Sequence, residues 1–416
     1  MNDPAAEGLA RTPAAASARS GRAAGPADGR EVLTLNVGPQ HPGTHGVLRV
    51  VVELEGEIIR RATPEIGYLH TGIEKQMEAR TYLQNVTLVD RIEYLASYNE
   101  EMAFYQAVER LLGVEPPPRA RAIRILMCEL NRIGSHLMYL AAGALDVNVT
   151  SVFMYAMTDR EKYLDLSEML SGQRMMPGYF RPGGVALDLP DGFVGAARAV
   201  LDELPRRLAE YERLLDDNLI WRERLEGVAP LSREDAVALG ATGPVLRGSG
   251  VAHDCRTLMP YGGYEEYRFD VPVRQEGDAF ARYRVRMEEM RQSRRIALQV
   301  LDRLPDGPII VDDRKIALPP RAELARSMEA VIHQFKLVSE GLHPPAGDSY
   351  VATESPRGEK GYFIVSDGSN RPVRAHVRAP SFYNLQALPA MVEGHPLSDL
   401  VVAIASIDIV LGDVDR

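Results

Sequence analysis

Leu88-Val89-Asp90-Arg91-Ile92-Glu93-Tyr94-Leu95-Ala96-Ser97 opens the part of the chain whose reading decides the fold. From Leu88 to Leu112 the sequence reads as one helix. Gly113 and then Pro116-Pro117-Pro118 end it, because proline cannot continue a helical hydrogen-bond ladder. Arg119 to Ala144 reads as a second helix, with Ile123, Leu126, Met127, Leu130, Ile133, Leu137 and Leu140 on one stripe. Thr158–Leu170, Phe193–Leu215, Arg282–Arg303 and Ala322–Gly341 share that period. Long helices joined by Pro- and Gly-rich turns predict a central bundle over residues 63–343. The Arg282–Arg303 helix alternates charge, which predicts a solvated or partner-facing surface.

On the N-terminal side of the bundle the period changes. Val32, Leu33, Leu35 and Val37 precede a Gly-Pro turn, and Val47 to Gly56 is β-branched, so residues 30–62 predict a hairpin. Its tip is the long loop Gly38-Pro39-Gln40-His41-Pro42-Gly43-Thr44-His45-Gly46, and Ile58–Ala62 adds a third strand. Residues 1–29 are Ala, Gly, Pro, Ser and Arg with almost no large apolar side chain, a composition that predicts disorder. On the other side, residues 344–416 turn extended. Gly361–Ser366 and Val373–Arg378 alternate like strands around the turn Asp367-Gly368-Ser369-Asn370. The fold class predicted is α+β: a helical bundle between a small N-terminal sheet and an extended, strand-rich C-terminal region.

Composition narrows function. With 416 residues and 45% apolar content, the chain is long enough to bury a large core. A formal charge of −10 argues against nucleic acid, which wants a basic face. The longest apolar run, Leu400–Val410, is interrupted by Asp408 and is short of the ~20 residues a bilayer-spanning helix needs. Two cysteines, Cys128 and Cys255, are too few for a disulfide framework or an all-cysteine cluster and predict a reducing compartment.

No Gly-rich run here has dinucleotide or P-loop spacing, and no hydrolase elbow or zinc-protease motif occurs. The chemistry-bearing candidates are isolated residues. His41 and His45 bracket Pro42-Gly43-Thr44. Prolyl and glycyl residues there argue against a helical metal pair and leave a plain turn or a mobile loop that presents a histidine to a ligand. Gly43 and Gly46 let such a loop change shape. Tyr94 is either a core tyrosine or a phenol able to hand a proton to a carbonyl oxygen. Asp146 is either part of an ordinary helix end or a carboxylate that orients a histidine.

Several longer motifs carry a family resemblance. They are Leu35-Asn36-Val37-Gly38-Pro39-Gln40-His41-Pro42, Thr44-His45-Gly46-Val47-Leu48-Arg49, Ile66-Gly67-Tyr68-Leu69-His70-Thr71-Gly72-Ile73-Glu74-Lys75, Thr353-Glu354-Ser355-Pro356-Arg357-Gly358-Glu359 and Arg378-Ala379-Pro380-Ser381-Phe382. From about Thr34 to Arg416 the chain resembles the D, or 49-kDa-type, subunits of proton-pumping NADH:quinone oxidoreductase, respiratory complex I. That family is related to the large subunits of NiFe hydrogenases. Segment 88–97 keeps the outline Arg-x-Cys-x-x-Cys with Glu93 and Ala96 at the thiol positions. Segment 406–416 keeps Asp-Pro-Cys-x-x-Cys with Val410 and Asp413 there. A nickel centre wants thiolates, so the resemblance implies a cavity without its metal, and no metal ligand is assigned.

The resemblance implies a role for that cavity as the headgroup end of a quinone chamber. A partner B subunit supplies the terminal [4Fe–4S] cluster, and this chain holds no cofactor of its own. Tyr94 and His45 would hydrogen-bond the quinone carbonyls, and Asp146 would pair with His45. His41, Gly43, Thr44 and Gly46 would belong to the quinone-site loop, and Arg91 and Met176 would lie near the partner cluster. The family commonly has histidine at the position of Met176, so this chain departs there. The implied partners are the B, C and membrane H subunits. The implied location is the cytoplasmic side of a bacterial cell membrane, held peripherally. Two rival readings stand beside this one: a nickel-containing hydrogenase-like subunit of another membrane-bound redox complex, and a non-catalytic scaffold.

Overall fold

The computed structural model describes residues 32–40, 43 and 45–416. The N-terminal tail over residues 1–29, together with His41 and Thr44, lies outside the described residues. The fold is α+β. Strands β1 (Val32–Val37), β2 (Arg49–Glu55) and β3 (Ile58–Glu65) form an antiparallel sheet in that order. β2 alternates as its sequence requires, with Val50, Val52 and Leu54 pointing into the core. Pairing of Val37 with Val50 fixes the base of the loop that carries His45.

Five helices build the bundle: α1 (Ser97–Leu112), α2 (Pro118–Asp146), α3 (Thr150–Ser171), α4 (Phe193–Leu215) and α5 (Ala279–Asp302). α2 is the central member and packs on α1, α3 and α5. Its stripe of Ile123, Leu126, Leu130, Ile133, Leu137 and Leu140 is buried, as the period demands. Gly113 closes α1 in the left-handed conformation, with φ of 66°.

A second antiparallel sheet follows, of β4 (Gly347–Ser355), β5 (Gly358–Ser366) and β6 (Arg374–Arg378). It packs against α1. The extended region ends at Arg378. Beyond it the chain forms short helices, among them α6 (Leu397–Ile407) and α7 (Leu411–Val414), and α6 packs against α2 and α5.

Three expectations are corrected. The helix expected from Leu88 begins only at Ser97. Val86–Val89 forms one helical turn, and Ala96 leaves helical geometry with φ −137° and ψ 42°. Tertiary contacts override local propensity in this stretch: Gly178 N–H donates to Asp90, Ser97 Oγ donates to the Met175 carbonyl, and Arg357 donates to Glu93. The Ala322–Gly341 helix is interrupted; Ser327 caps a separate helix, Met328–Ser339, by accepting from Ala330 N–H. The charged face of α5 is only partly a surface. Arg282 and Arg286 are fully buried, with Arg282 donating to the Ala229 and Gly277 carbonyls, while Glu289 is buried against Arg247 and His136.

Candidate functional site: a buried charged cavity at the former metal position

Gly412 lies flat against the segment that carries Tyr94. A Cβ at that position would fall 2.6 Å from the Ile92 carbonyl oxygen and 3.2 Å from Tyr94 Cε1. Only glycine allows this approach. It brings the 88–97 and 406–416 segments together. Carboxylate oxygens of Glu93, Glu100 and Asp413 lie within 4.8 Å of one another, all three residues buried. Ala96 and Val410 are buried and offer no donor atom.

Two cations hold these acids. Arg357 sits in the turn between β4 and β5, fully buried. Its Nη1 donates to Glu93 Oε1 at 2.9 Å and to Ser135 Oγ at 2.7 Å. Its Nη2 donates to Asp408 Oδ1 at 3.0 Å, and its Nε donates to the Asp408 carbonyl at 2.9 Å. Lys360, three residues on, bridges Asp413 and Glu100. Asp413 also accepts from Ser381 N–H at 2.9 Å, and Tyr362 OH donates to Glu100 at 2.6 Å. Paired carboxylates braced by ammonium and guanidinium make poor ligands for a soft metal.

Burial sets the proton affinities. It pushes the Glu100 carboxyl up to about 8 even though Lys360 pulls the other way. It raises Glu93 too, against the opposing pull of Arg357. The Tyr94 phenol is raised by burial, again partly offset by Arg357. Tyr94 lines a narrow cleft with Tyr98, Asn131, Arg160, Tyr163 and Met175.

His45 takes the left-handed conformation, with φ of 51°, and Gly46 follows at 105°. A left-handed backbone is uncommon outside glycine and is found where surroundings hold it in place. Its Nε2 is shielded from solvent and has no hydrogen-bond partner among the described residues. Burial lowers its pKa, Asp408 raises it in part, and Arg357 lowers it further, so the ring is neutral near pH 7. Tyr94 and His45 therefore share one charged neighbour, Arg357. Gly43 is buried and Gly46 exposed in the same loop.

The expected His45–Asp146 pair is not formed. The carboxylate that faces His45 is Asp408, the left-handed C-cap of α6. Asp146, the last residue of α2, lines a separate small cavity with Tyr139, Trp221, Val402 and Ser406. Burial alone raises its carboxyl to about 6. The two regions connect indirectly: the Arg286 guanidinium lies 4.0 Å from the Tyr139 ring centroid, and its Nε is 4.0 Å from Asp408 Oδ2.

Arg91 is exposed and donates to the Thr87 carbonyl, and Met176 is half-buried beside Met175. Arg91 lies within the segment from Asp90 to Ser97, and Met176 follows Met175, whose carbonyl accepts from Ser97 Oγ. The sequence reading missed Arg357, Asp408, Lys360 and Glu100. The signal was available, since Arg357 and Lys360 fall in or beside the Thr353–Glu359 motif, and a buried acid at a former thiol position calls for a cation.

The bundle thus closes at its centre where two distant segments meet over buried ion pairs. The family model of the respiratory-chain NADH dehydrogenase 49 kDa subunit matches residues 146–416. The D subunit of NADH-quinone oxidoreductase from Protochlamydia amoebophila is 53% identical over 386 residues, covering 93% of this chain and 96% of that protein. A D subunit of the same enzyme from Roseiflexus castenholzii is 55% identical over 390 residues, covering 93% and 94%. The D subunit from Geotalea uraniireducens is 50% identical over 386 residues, covering 93% and 99%. The chain belongs to the 49 kDa subunit family of respiratory-chain NADH dehydrogenase. Among the described residues no helix is long and apolar enough to cross a membrane.

Proposed function

We propose that this chain forms one wall of the quinone-reduction chamber of an NADH-quinone oxidoreductase, with the iron–sulfur B subunit as the other wall. The observation that carries this reading is that Tyr94 and His45 both feel the charge of Arg357, which is buried and hydrogen-bonded to Glu93, Ser135 and Asp408. Reduction of a quinone to quinol takes two electrons and two protons. The partner's [4Fe–4S] cluster supplies the electrons. The protons must come from acids close to both carbonyl oxygens, in a space dry enough for a phenol to donate. Tyr94, kept undissociated by burial, donates to one carbonyl. His45, whose Nε2 has no hydrogen-bond partner among the described residues, hydrogen-bonds the other and passes to it a proton taken at its second ring nitrogen from a neighbouring acid or solvent. Arg357 stabilises the negative charge that develops as electrons arrive. Glu100, whose carboxyl burial pushes up to about 8, is the adjacent proton store, with Glu93 raised in the same direction beside it. Asp146 is a third titrating group, reached through Tyr139 and Arg286 rather than by direct contact with His45.

In this reading quinone reduction is the step coupled to proton translocation, which the membrane partners perform. The chain sits peripherally on the cytoplasmic side of the cell membrane, held by the B, C and H subunits. Tyr94→Phe tests the site because it keeps the ring's packing. Assembly and iron content should match wild type, while reduction of short-chain quinones falls about 10²-fold or more. Binding weakens by about 0.5–1.5 kcal/mol for the lost hydrogen bond. Unimpaired quinone turnover in the assembled variant would reject the site and favour the scaffold reading.

A further inference from the structure

His253, Cys255 and Glu359 form a second cluster, apart from the cavity. One donor atom from each lies within 4.8 Å of the other two. The three come from two fixed places. His253 and Cys255 flank Asp254, whose side chain accepts from Arg256 N–H at 2.9 Å and fixes the turn. Glu359 is the second residue of β5, paired in register with Glu354.

Two of the donors are loosely held, and the third, the Cys255 thiol, bonds to the Glu354 carboxylate. His253 Nδ1 is shielded from solvent and has no hydrogen-bond partner among the described residues, and Nε2 is 4.0 Å from Glu359 Oε2. Cys255 is a free, buried thiol. Burial raises its pKa, and nearby Glu354 and Glu359 add to that, so it stays protonated until a cation takes the proton's place. The Glu359 carboxylate has long contacts, 3.4 Å to Arg378 Nε and 3.5 Å to Tyr350 OH. Arg378 does not depend on that carboxylate for its position: it donates to the Glu359 carbonyl at 2.7 Å and lies over the Tyr383 ring at 4.7 Å.

We propose that His253, Cys255 and Glu359 bind one divalent cation of the zinc class, with water as fourth ligand. A thiolate, an imidazole and a carboxylate are zinc's usual donors, at about 2.3, 2.0 and 2.0–2.2 Å. Those bond lengths require the donor atoms to close by about 1 Å from their present spacing. His253, with 30% of its side chain exposed, and Glu359, with 16%, leave a route for the ion. On binding, the Zn–S bond forms as the Cys255 S–H bond breaks, and the proton leaves to solvent. A hard oxygen-seeking cation such as magnesium has no use for the thiol. The ion would tie the 253–255 turn to the strand that carries Lys360 and follows Arg357.

Zinc content per assembled complex, measured by mass spectrometry after equilibration with submicromolar free Zn²⁺ and desalting, tests this. Wild type should hold one more zinc than His253→Gln and Cys255→Ala, with iron content equal in all three. His253→Gln, at a half-exposed position, keeps the test valid if the buried alanine variant fails to assemble. Equal zinc in wild type and His253→Gln, whether at zero or at a common adventitious level, overturns the proposal.

Discussion

Arg357 and Glu93, 264 positions apart, form a hydrogen-bonded ion pair of 2.9 Å in which neither side chain touches solvent. The resemblance places Glu93 where related metal-binding subunits carry a thiol, and here that position holds a charge-assisted hydrogen bond instead. Removing one partner of a buried pair leaves the other uncompensated. Glu93→Ala should destabilise the subunit by about 3–5 kcal/mol. Glu93→Gln should cost less than Glu93→Ala, since it keeps an oxygen acceptor for Arg357. Thermal unfolding of the purified complex and its assembly yield check both.

Burial keeps His45 neutral, and Asp408, rather than Asp146, is the carboxylate that opposes it. Its carboxylate stabilises the imidazolium, so Asp408→Asn should move the acidic limb of the pH–activity profile to lower pH. Asp146→Asn should leave that limb in place. A matching shift in both variants, in steady-state quinone reduction across pH, would contradict the geometry described above.

Asp146 has its own pH signature. Its carboxyl rises from 3.8 to about 6 on folding, so between those values the folded chain holds a proton that the unfolded chain has released. Stability should therefore fall as pH rises through this window and stay lower above it. Asp146→Asn abolishes the slope. It should stabilise by roughly 1 kcal/mol at neutral pH, discounted for partial solvent screening, and have little effect near pH 3. Unfolding midpoints at the two extremes of pH measure the difference.

In the proposed reading Met176 lies near the partner cluster, where the resemblance implies a histidine, and a thioether exchanges no proton. The partner cluster's reduction potential should be flat with pH in the wild-type complex and acquire a slope in Met176→His. Redox titration at several pH values decides the matter, and equal slopes in the two proteins defeat it.

Elemental analysis of the purified chain should find no nickel. Glu93 and Asp413 are committed to Arg357 and Lys360, and Ala96 and Val410 have nothing to offer. Stoichiometric nickel would revive the hydrogenase reading.

Much of the architecture was legible because it rests on period and punctuation. Phe193–Leu215 is recovered to the residue, and α2 extends only one residue before and two beyond its expected limits. What local pattern cannot report is which distant group will claim a side chain. Leu88–Ser97 has helical period, yet its polar groups are claimed by Gly178, Met175 and Arg357. Tyr94 and His45 were visible as isolated candidates, whereas Arg357 and Asp408 become a site only through contacts 51 residues apart. The assignment of Asp146 to His45 failed for the same reason: the end of a helix is readable, but the cavity it faces is not.

The Gly412 contact and the Arg357 clamp together join positions 93, 135, 357, 408 and 412 at one point. Contacts of such sequence separation form late, after most of the loop-closure entropy has been overcome. Cavity and global fold are therefore acquired in the same cooperative step. A chain opened anywhere between Glu93 and Asp408 has no residual half-site to offer, and a proteolytic cut in the surface loops between them should abolish ligand binding wherever it also releases the second sheet.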